Sequence, residues 1–206
     1  MKEDKLPTKS NAEAILLKAQ ERNPGPWADH SRAVARIAET IARECGLDTH
    51  RAYVSGLLHD IGRYEGVRGL HHIYAGYELM NRKGYELLAG ICLSHSFPYQ
   101  HIGAYSGGDL DCTEDELRVI TSFLSDTVYS EFDKLIQLGD AMGMAEGVCL
   151  IDVRILNVTR RHGFNDFTLR KWESIFSLKS YFDSLCHKNL YNLFYDEIRE
   201  ISFRSF

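Results

Sequence analysis

The sequence predicts an all-α protein built as a packed array of helices. Only four prolines occur in 206 residues, apolar residues recur three and four positions apart, and no segment shows convincing β-alternation. With 44% hydrophobic residues, a chain of this length can bury a core without disulfide or metal support. We therefore expect a single domain over 1–206, with a motif-bearing core at about 28–142 and C-terminal helices at 151–206 packing on it.

Turn residues divide the first part of the chain into helices. Asn11 is the expected N-cap of a helix that ends near Asn23, and the proline-glycine turn at 24–26 precedes a helix over about 28–45. Asp48 is expected to cap the next helix, which leads into a His-Asp pair.

The second part shows the same alternation of helices and breaks. Helices are predicted over about 70–84 and from 85 towards His95, followed by a glycine-containing loop over 96–111. Thr113 and Glu116 form a capping-box pattern for the helix after the loop. The next helical segment covers 132–138 and delivers Asp140, and the tail after it is again helical, with breaks at Gly163 and near Asn189.

Cysteine usage indicates a reducing compartment. The five cysteines are odd in number, widely spaced and never arranged as C-x-x-C, so they suggest neither a disulfide framework nor a cysteine zinc site. The N-terminus lacks the order of a signal peptide, and no apolar run reaches the roughly 18 residues of a membrane span. A cytoplasmic protein without a membrane partner is expected. The cysteines are Cys45, Cys92, Cys112, Cys149 and Cys186.

The net charge of −5 disfavours a broad surface for a nucleic-acid polymer. A small anionic substrate is compatible with this charge if metal ions supply positive charge locally.

The segment GLLHDIGR places His59 and Asp60 where an apolar helix ends. A lone His-Asp pair carries little information, because nine histidines and fourteen aspartates give about 0.6 such pairs by chance. Burial at this helix end, however, would be unfavourable unless both side chains were paired or bound to a metal. Adjacent side chains on a regular helix point about 100° apart, so both can reach one ion only near a helix end.

An upstream histidine, the HDIG sequence and a downstream aspartate together resemble the H…HD…D signature of the HD superfamily. The resemblance covers roughly 29–140, with His30 in WADHSRAVARIA and Asp140 in LIQLGDAM as the outer residues. It implies an HD-type helical array in which His30, His59, Asp60 and Asp140 hold a metal ion.

Two further histidines resemble the second-metal ligands of binuclear HD branches, such as the HD-GYP phosphodiesterases and the symmetric diadenosine-tetraphosphate hydrolases. His72, followed by Gly76, matches an H-x-x-x-G motif, whereas its neighbour His71 lacks a glycine at that offset. His95 matches the later histidine. The resemblance thus implies two divalent ions bridged by Asp60, drawn from Fe, Mn, Co, Ni, Zn and Mg.

Two such ions would lower the pKa of a bridging water and polarise a phosphoryl group, so the expected activity is phosphohydrolase. Besides Asp60, the expected catalytic residues are Arg63, as a bidentate phosphate donor, and His101, as a proton donor or lid residue. The structural alternatives are a helix-terminal arginine and a solvated loop histidine. Other basic residues are interpreted as exposed helix charges, namely Arg68, Lys83, Arg154, Arg160 and Arg161.

The substrate class is narrowed but not fixed. The chain lacks the GYP element, continues Ser-Phe-Pro after His95 where the tetraphosphate hydrolases have His-Thr, and lacks their Asn-Arg element after Asp140. A small phosphorylated metabolite or nucleotide is expected. A di-iron HD oxygenase, which uses the same ligand order, and a noncatalytic signalling module are the alternatives, and the aromatic C-terminal tail is compatible with core or homodimer packing.

Overall fold

The computed structural model describes residues 5–202, and within them the regular structure is helical apart from one short hairpin. The all-α prediction is confirmed. The helices are α1 (Lys9–Arg22), α2 (Trp27–Glu44), α3 (Thr49–Leu58), α4 (His71–Arg82), α5 (Glu86–Ser94), α6 (Glu114–Asp126), α7 (Glu131–Met142), α8 (Ile151–His162), α9 (Thr168–Leu185) and α10 (Tyr195–Ser202). Short 3-10 turns occupy Ile61–Glu65, Ile102–Ala104 and Leu190–Phe194.

A β-hairpin with strands of two residues each, which the sequence did not predict, follows α7. Strand β1 (Gly143–Met144) pairs antiparallel with β2 (Gly147–Val148), so that Gly143 lies opposite Val148. Strands this short carry no alternating pattern, which explains why hydrophobic periodicity did not detect them.

Helix α2 lies at the centre of the array. Its apolar residues recur three and four apart, and the stripe of Val34, Ile37, Ala38 and Ile41 is fully buried. This helix packs against α3 and α7, and α5 in turn packs against α7. These contacts bring together the helices that carry the candidate ligands.

The C-terminal helices share the core of the motif-bearing segment. Phe182 of α9, Phe194 of the last 3-10 turn and Ile198 of α10 pack in one buried cluster with Val34 and Ile136. The single-domain organisation stays a prediction, and this shared core supports it.

Helix caps agree with the sequence except at the first helix. Thr8, not Asn11, is the N-cap of α1, and its Oγ1 accepts the Asn11 N–H at 3.2 Å. Thr8, like Asn11, is of a residue type that caps helices well, and α1 begins at Lys9, three residues earlier than expected. The Asp48 cap and the box of Thr113 with Glu116 are as predicted.

Cys45 and Cys186 form a disulfide, which corrects the expectation of unlinked cysteines. Each residue follows the end of a helix, α2 and α9 respectively. They are 141 residues apart in the sequence, so only the packing of these two helix ends reveals the pair. Within residues 5–202, no helix has the length and apolarity needed to cross a bilayer.

Candidate metal centre

Helix ends place the predicted ligands around one interior point. His30 lies in the first turn of α2 and His72 in that of α4, whereas His59 and His95 immediately follow α3 and α5. All four histidines are buried, as is Asp60. Asp60 immediately precedes the 3-10 turn after α3, where the backbone leaves the regular helix and both members of the HD pair can face the same side.

The side chains form two compact groups that share Asp60. Possible ligand atoms of His30, His59 and Asp60 all lie within 4.8 Å of one another, and so do those of Asp60, His72 and His95. The structure therefore places the shared carboxylate where the resemblance implied a bridging ligand.

Backbone carbonyls orient three of these imidazoles. Nδ1 of His59 lies 2.7 Å from the Gly56 carbonyl oxygen, and Nδ1 of His95 lies 2.9 Å from that of Cys92. Nδ1 of His72 lies 2.5 Å from the Gly69 carbonyl. Because a carbonyl only accepts, each Nδ1 must carry the proton, which leaves Nε2 as a lone-pair donor. At the ends of α3 and α5 this bond also satisfies carbonyls of the last helical turn.

The Nε2 atoms of His59, His72 and His95 are buried without hydrogen-bond partners in the described part of the chain, and so is Oδ1 of Asp60. Nε2 of His72 lies 3.1 Å from this oxygen, and Nε2 of His95 lies 3.5 Å from it. Each contact brings two lone-pair acceptors together. Such a group is stable only if a cation lies between the acceptors, and a divalent ion fits a set of imidazole and carboxylate donors.

The pKa shifts of these residues indicate that the cation between the acceptors is not a proton. Burial lowers the pKa of His59 to about 3, and burial together with the Arg63 charge lowers the pKa of His72. Although burial raises the pKa of Asp60, the charge of Arg63 and the contact with His72 hold it well below its usual range. Neutral imidazoles beside an ionised carboxylate are the forms that bind metals.

Asp140 lies at the edge of this cluster. Its Oδ1 is 3.0 Å from Nε2 of His30 and 3.4 Å from a terminal nitrogen of Arg154. Burial raises its pKa, but the His30 contact and the Arg154 charge hold it well below the usual range. Nδ1 of His30 is buried without a partner among residues 5–202. The structure thus brings Asp140 next to His30, outside the two compact groups.

A close contact between two glycines explains the motif around His72. A Cβ on Gly62 would lie 1.8 Å from the His72 carbonyl oxygen and 2.5 Å from the Gly76 nitrogen. A Cβ on Gly76 would lie 3.0 Å from the Cys92 sulfur. The glycine of HDIG therefore allows the first turn of α4 to approach the 3-10 turn, which sets His72 against Asp60.

Arg63 contacts one carboxylate oxygen of Asp60 and leaves the other facing the histidines. Its Nε donates to Asp60 Oδ2 at 2.5 Å, while Oδ1 faces the histidines. The terminal nitrogens of Arg63 have no acceptor in the described chain, and the residue lines the neighbouring cavity. Arg63 is therefore placed both to orient Asp60 and to bind an anion.

Two other histidines lie away from the cluster. The ring of His101 stacks on Phe167 at 4.3 Å, its Nδ1 accepts from the Gly103 N–H, and it does not line the cavity. Its proton-donor role stays a prediction that none of these contacts supports. His71 lies 2.8 Å from Glu65 and 3.4 Å from Glu116, so the register of α4 turns it away from Asp60.

The cavity beside the ligands has a volume of about 660 Å³ and a cationic wall that the sequence reasoning missed. Arg68, Arg154 and Arg161 line it, as does Lys171 of α9. Arg154 is half-buried, which corrects its interpretation as an exposed charge, whereas Arg68 and Arg161 are exposed as expected and also face the cavity. The seven-residue spacing of Arg154 and Arg161 puts both on one face of α8, and that spacing was a usable signal. Lys83 and Arg160 are exposed and do not line the cavity.

A comparison with protein families agrees with the geometry. The sequence model of the family described as HD domain matches residues 27–140, which is more than half of the chain. This segment contains the six predicted ligands. HD domains bind divalent metals and are, as a family, metal-dependent hydrolases. No solved structure matches the chain significantly. Sequence signature, helical fold and the family match agree, and the chain therefore belongs to the HD domain family.

Proposed function

We propose that this HD domain protein is a metal-dependent phosphohydrolase of the six-ligand, binuclear branch. It cleaves a phosphoester or phosphoanhydride of a small metabolite or nucleotide. The observation that carries this proposal is the set of buried, unpartnered Nε2 atoms around Oδ1 of Asp60, directly beside a cavity lined with cationic side chains.

In this proposal His30, His59, Asp60 and Asp140 hold one ion, and Asp60, His72 and His95 hold another. Divalent ions in such a site supply Lewis acidity, which lowers the pKa of water and neutralises phosphoryl charge. The backbone bonds to Nδ1 of His59, His72 and His95 hold the imidazoles in the metal-binding tautomer.

Arg63 keeps Asp60 ionised and oriented, and its terminal nitrogens donate to a phosphoryl oxygen of the substrate. In the reaction the oxygen of water forms a bond to phosphorus, and the bond from phosphorus to the leaving oxygen breaks. One proton of the water ends on the leaving group and the other remains with phosphate or solvent.

The di-iron oxygenase alternative has the same ligand order, so the ligands do not separate the two reactions. The cavity helps to distinguish hydrolase from oxygenase. It is lined by Arg63, Arg154 and Lys171, and these positive charges suit an anionic substrate. This observation favours hydrolysis of a phosphorylated compound.

The test is a hydrolysis screen on protein purified without chelators. Aryl phosphate, aryl phosphodiester and nucleotide substrates are assayed in air and under anaerobic conditions, with and without a chelator. We expect phosphate release that a chelator abolishes, that added Mn²⁺, Co²⁺ or Fe²⁺ restores, and that does not require O₂. Activity that depends on O₂ and releases no phosphate would instead support the oxygenase.

A further inference from the structure

Helices α8 and α9 form a wall of the cavity that carries two cations, Arg161 and Lys171, in addition to Arg154. Arg161 donates from Nε only to the Asn157 carbonyl, at 3.5 Å, and Lys171 donates to Ser106 Oγ at 2.9 Å. Neither Arg161 nor Lys171 forms an ion pair within residues 5–202. Both line the same cavity as the candidate metal ligands.

Each of these two cations also lies near Arg154, which carries a further positive charge. Burial, together with the charge of Arg154, lowers the pKa of Lys171 to about 8, although the Asp140 carboxylate opposes this shift. Burial and the charges of Arg154 and Arg63 lower the pKa of Arg161. Positive charges that line one cavity and form no ion pair of their own are unfavourable in the free protein, and a bound anion would relieve the repulsion from Arg154.

The wall is separate from the metal-binding cluster in sequence and in contacts. Arg161 and Lys171 lie beyond residue 140, where the family match ends, and neither contacts a candidate ligand. Arg154 differs, because it contacts Asp140 and so has a partner already. A second anionic group is therefore the occupant that this wall fits.

We propose that Arg161 and Lys171 form a subsite for a second phosphate of the substrate, which makes the substrate an oligophosphate or bisphosphate rather than a monophosphate. The inference rests on the proposed function, in which the first phosphate lies at Arg63 and the candidate metal ligands. The cavity volume of about 660 Å³ is in the range of small-molecule sites and leaves room for both groups.

The test compares two non-hydrolysable probes, methylphosphonate with one anionic group and methylenediphosphonate with two. Calorimetry measures their affinities for the wild type, Arg161→Gln and Lys171→Met, as purified with metal. Charge-assisted hydrogen bonds are worth about 1.5–3 kcal/mol. We therefore expect each variant to lose about tenfold or more in diphosphonate affinity and less than about twofold in methylphosphonate affinity.

Arg160→Gln is the matched control, because Arg160 precedes Arg161 on the same helix but does not line the cavity. It should bind both probes like the wild type. Chelation of metal by the diphosphonate is common to all variants and cancels in the comparison.

Equal losses for both probes in Arg161→Gln and Lys171→Met, or no loss, would overturn the subsite. The binding pattern does not require turnover, so it can hold even if the hydrolysis screen fails. Conversely, hydrolysis without probe discrimination would leave the proposed function intact and remove the subsite.

Discussion

Nε2 of His72 lies 3.1 Å from Oδ1 of Asp60, and neither atom has a hydrogen-bond partner among residues 5–202. The single proton of the neutral His72 imidazole is on Nδ1, which donates it to the Gly69 carbonyl. Nε2 therefore has only a lone pair, and its contact with Oδ1 requires a cation between them. We predict that His72→Ala and His95→Ala each lose one of two bound ions, because each removes a donor from the same group. Metal analysis by mass spectrometry checks this.

His71→Ala is the control for the preceding variants, since its side chain faces Glu65 and Glu116. It should retain the full metal content. Loss of metal from His71→Ala, with retention in His72→Ala, would place the ion at a different cluster, formed by His71, Cys112 and Glu116.

Gly62→Ala should lower both stability and metal content. The added Cβ would overlap the His72 carbonyl, so α4 must move away from the 3-10 turn. We expect a loss of about 2–4 kcal/mol in the free energy of unfolding, measured by urea denaturation. Gly90→Ala is the control, because its Cβ would meet only Phe123 at 3.9 Å. This helix-interior change should be neutral or stabilising by up to about 1 kcal/mol, and an equal loss in both variants would argue against the proposed packing.

The Cys45–Cys186 disulfide closes a loop of 141 residues, for which chain entropy predicts about 5 kcal/mol of stabilisation. Reducing agent should therefore lower the urea midpoint of the wild type and leave that of a Cys45→Ala/Cys186→Ala variant unchanged. A wild-type midpoint that is insensitive to reduction would show that the disulfide does not form in solution.

Lys171 gives a pH dependence whose sign follows from its lowered pKa. The folded protein releases the Lys171 proton near pH 8, whereas the unfolded chain releases it near pH 10.4. Between these values the unfolded state binds more protons, so the Lys171 contribution to stability rises with pH. Below pH 8 the penalty of burying the ammonium is fully present.

Lys171→Met should therefore stabilise the phosphate-free protein by about 1–2 kcal/mol below pH 8, with a gain that shrinks towards pH 10. Thermal denaturation across pH 6–10 measures the difference. Exposed Lys18 provides the control variant, Lys18→Met, for which the difference from wild type should not vary in this way. A gain for Lys171→Met that is independent of pH would rule out titration as its cause.

The sequence was sufficient to predict the helical class and to name the candidate ligands that lie together around Asp60, because both leave local patterns. Helical periodicity recurs along the whole chain, and the HD pair lies where the apolar run of α3 ends, just before Gly62. The paired cysteines and the cationic wall depend on helices that meet from distant parts of the sequence. Lys171 has no sequence signal of its own, because only the packing of α9 beside the ligands shows that it lines the cavity.

Some expectations have no counterpart in the described structure. Cytoplasmic localisation and homodimer formation stay predictions, as does the catalytic role of His101. The Phe167 stack and the Gly103 bond account for the position of His101 without any substrate.

Metal stoichiometry of the wild type against Asp60→Ala tests the central claim most directly. Both compact groups include this carboxylate, and Asp60→Ala removes it. A circular dichroism spectrum verifies that the variant is folded. We predict about two divalent ions per chain in the wild type and none in a folded Asp60→Ala variant. A wild type that binds no metal, or a variant that retains both ions, would contradict the account.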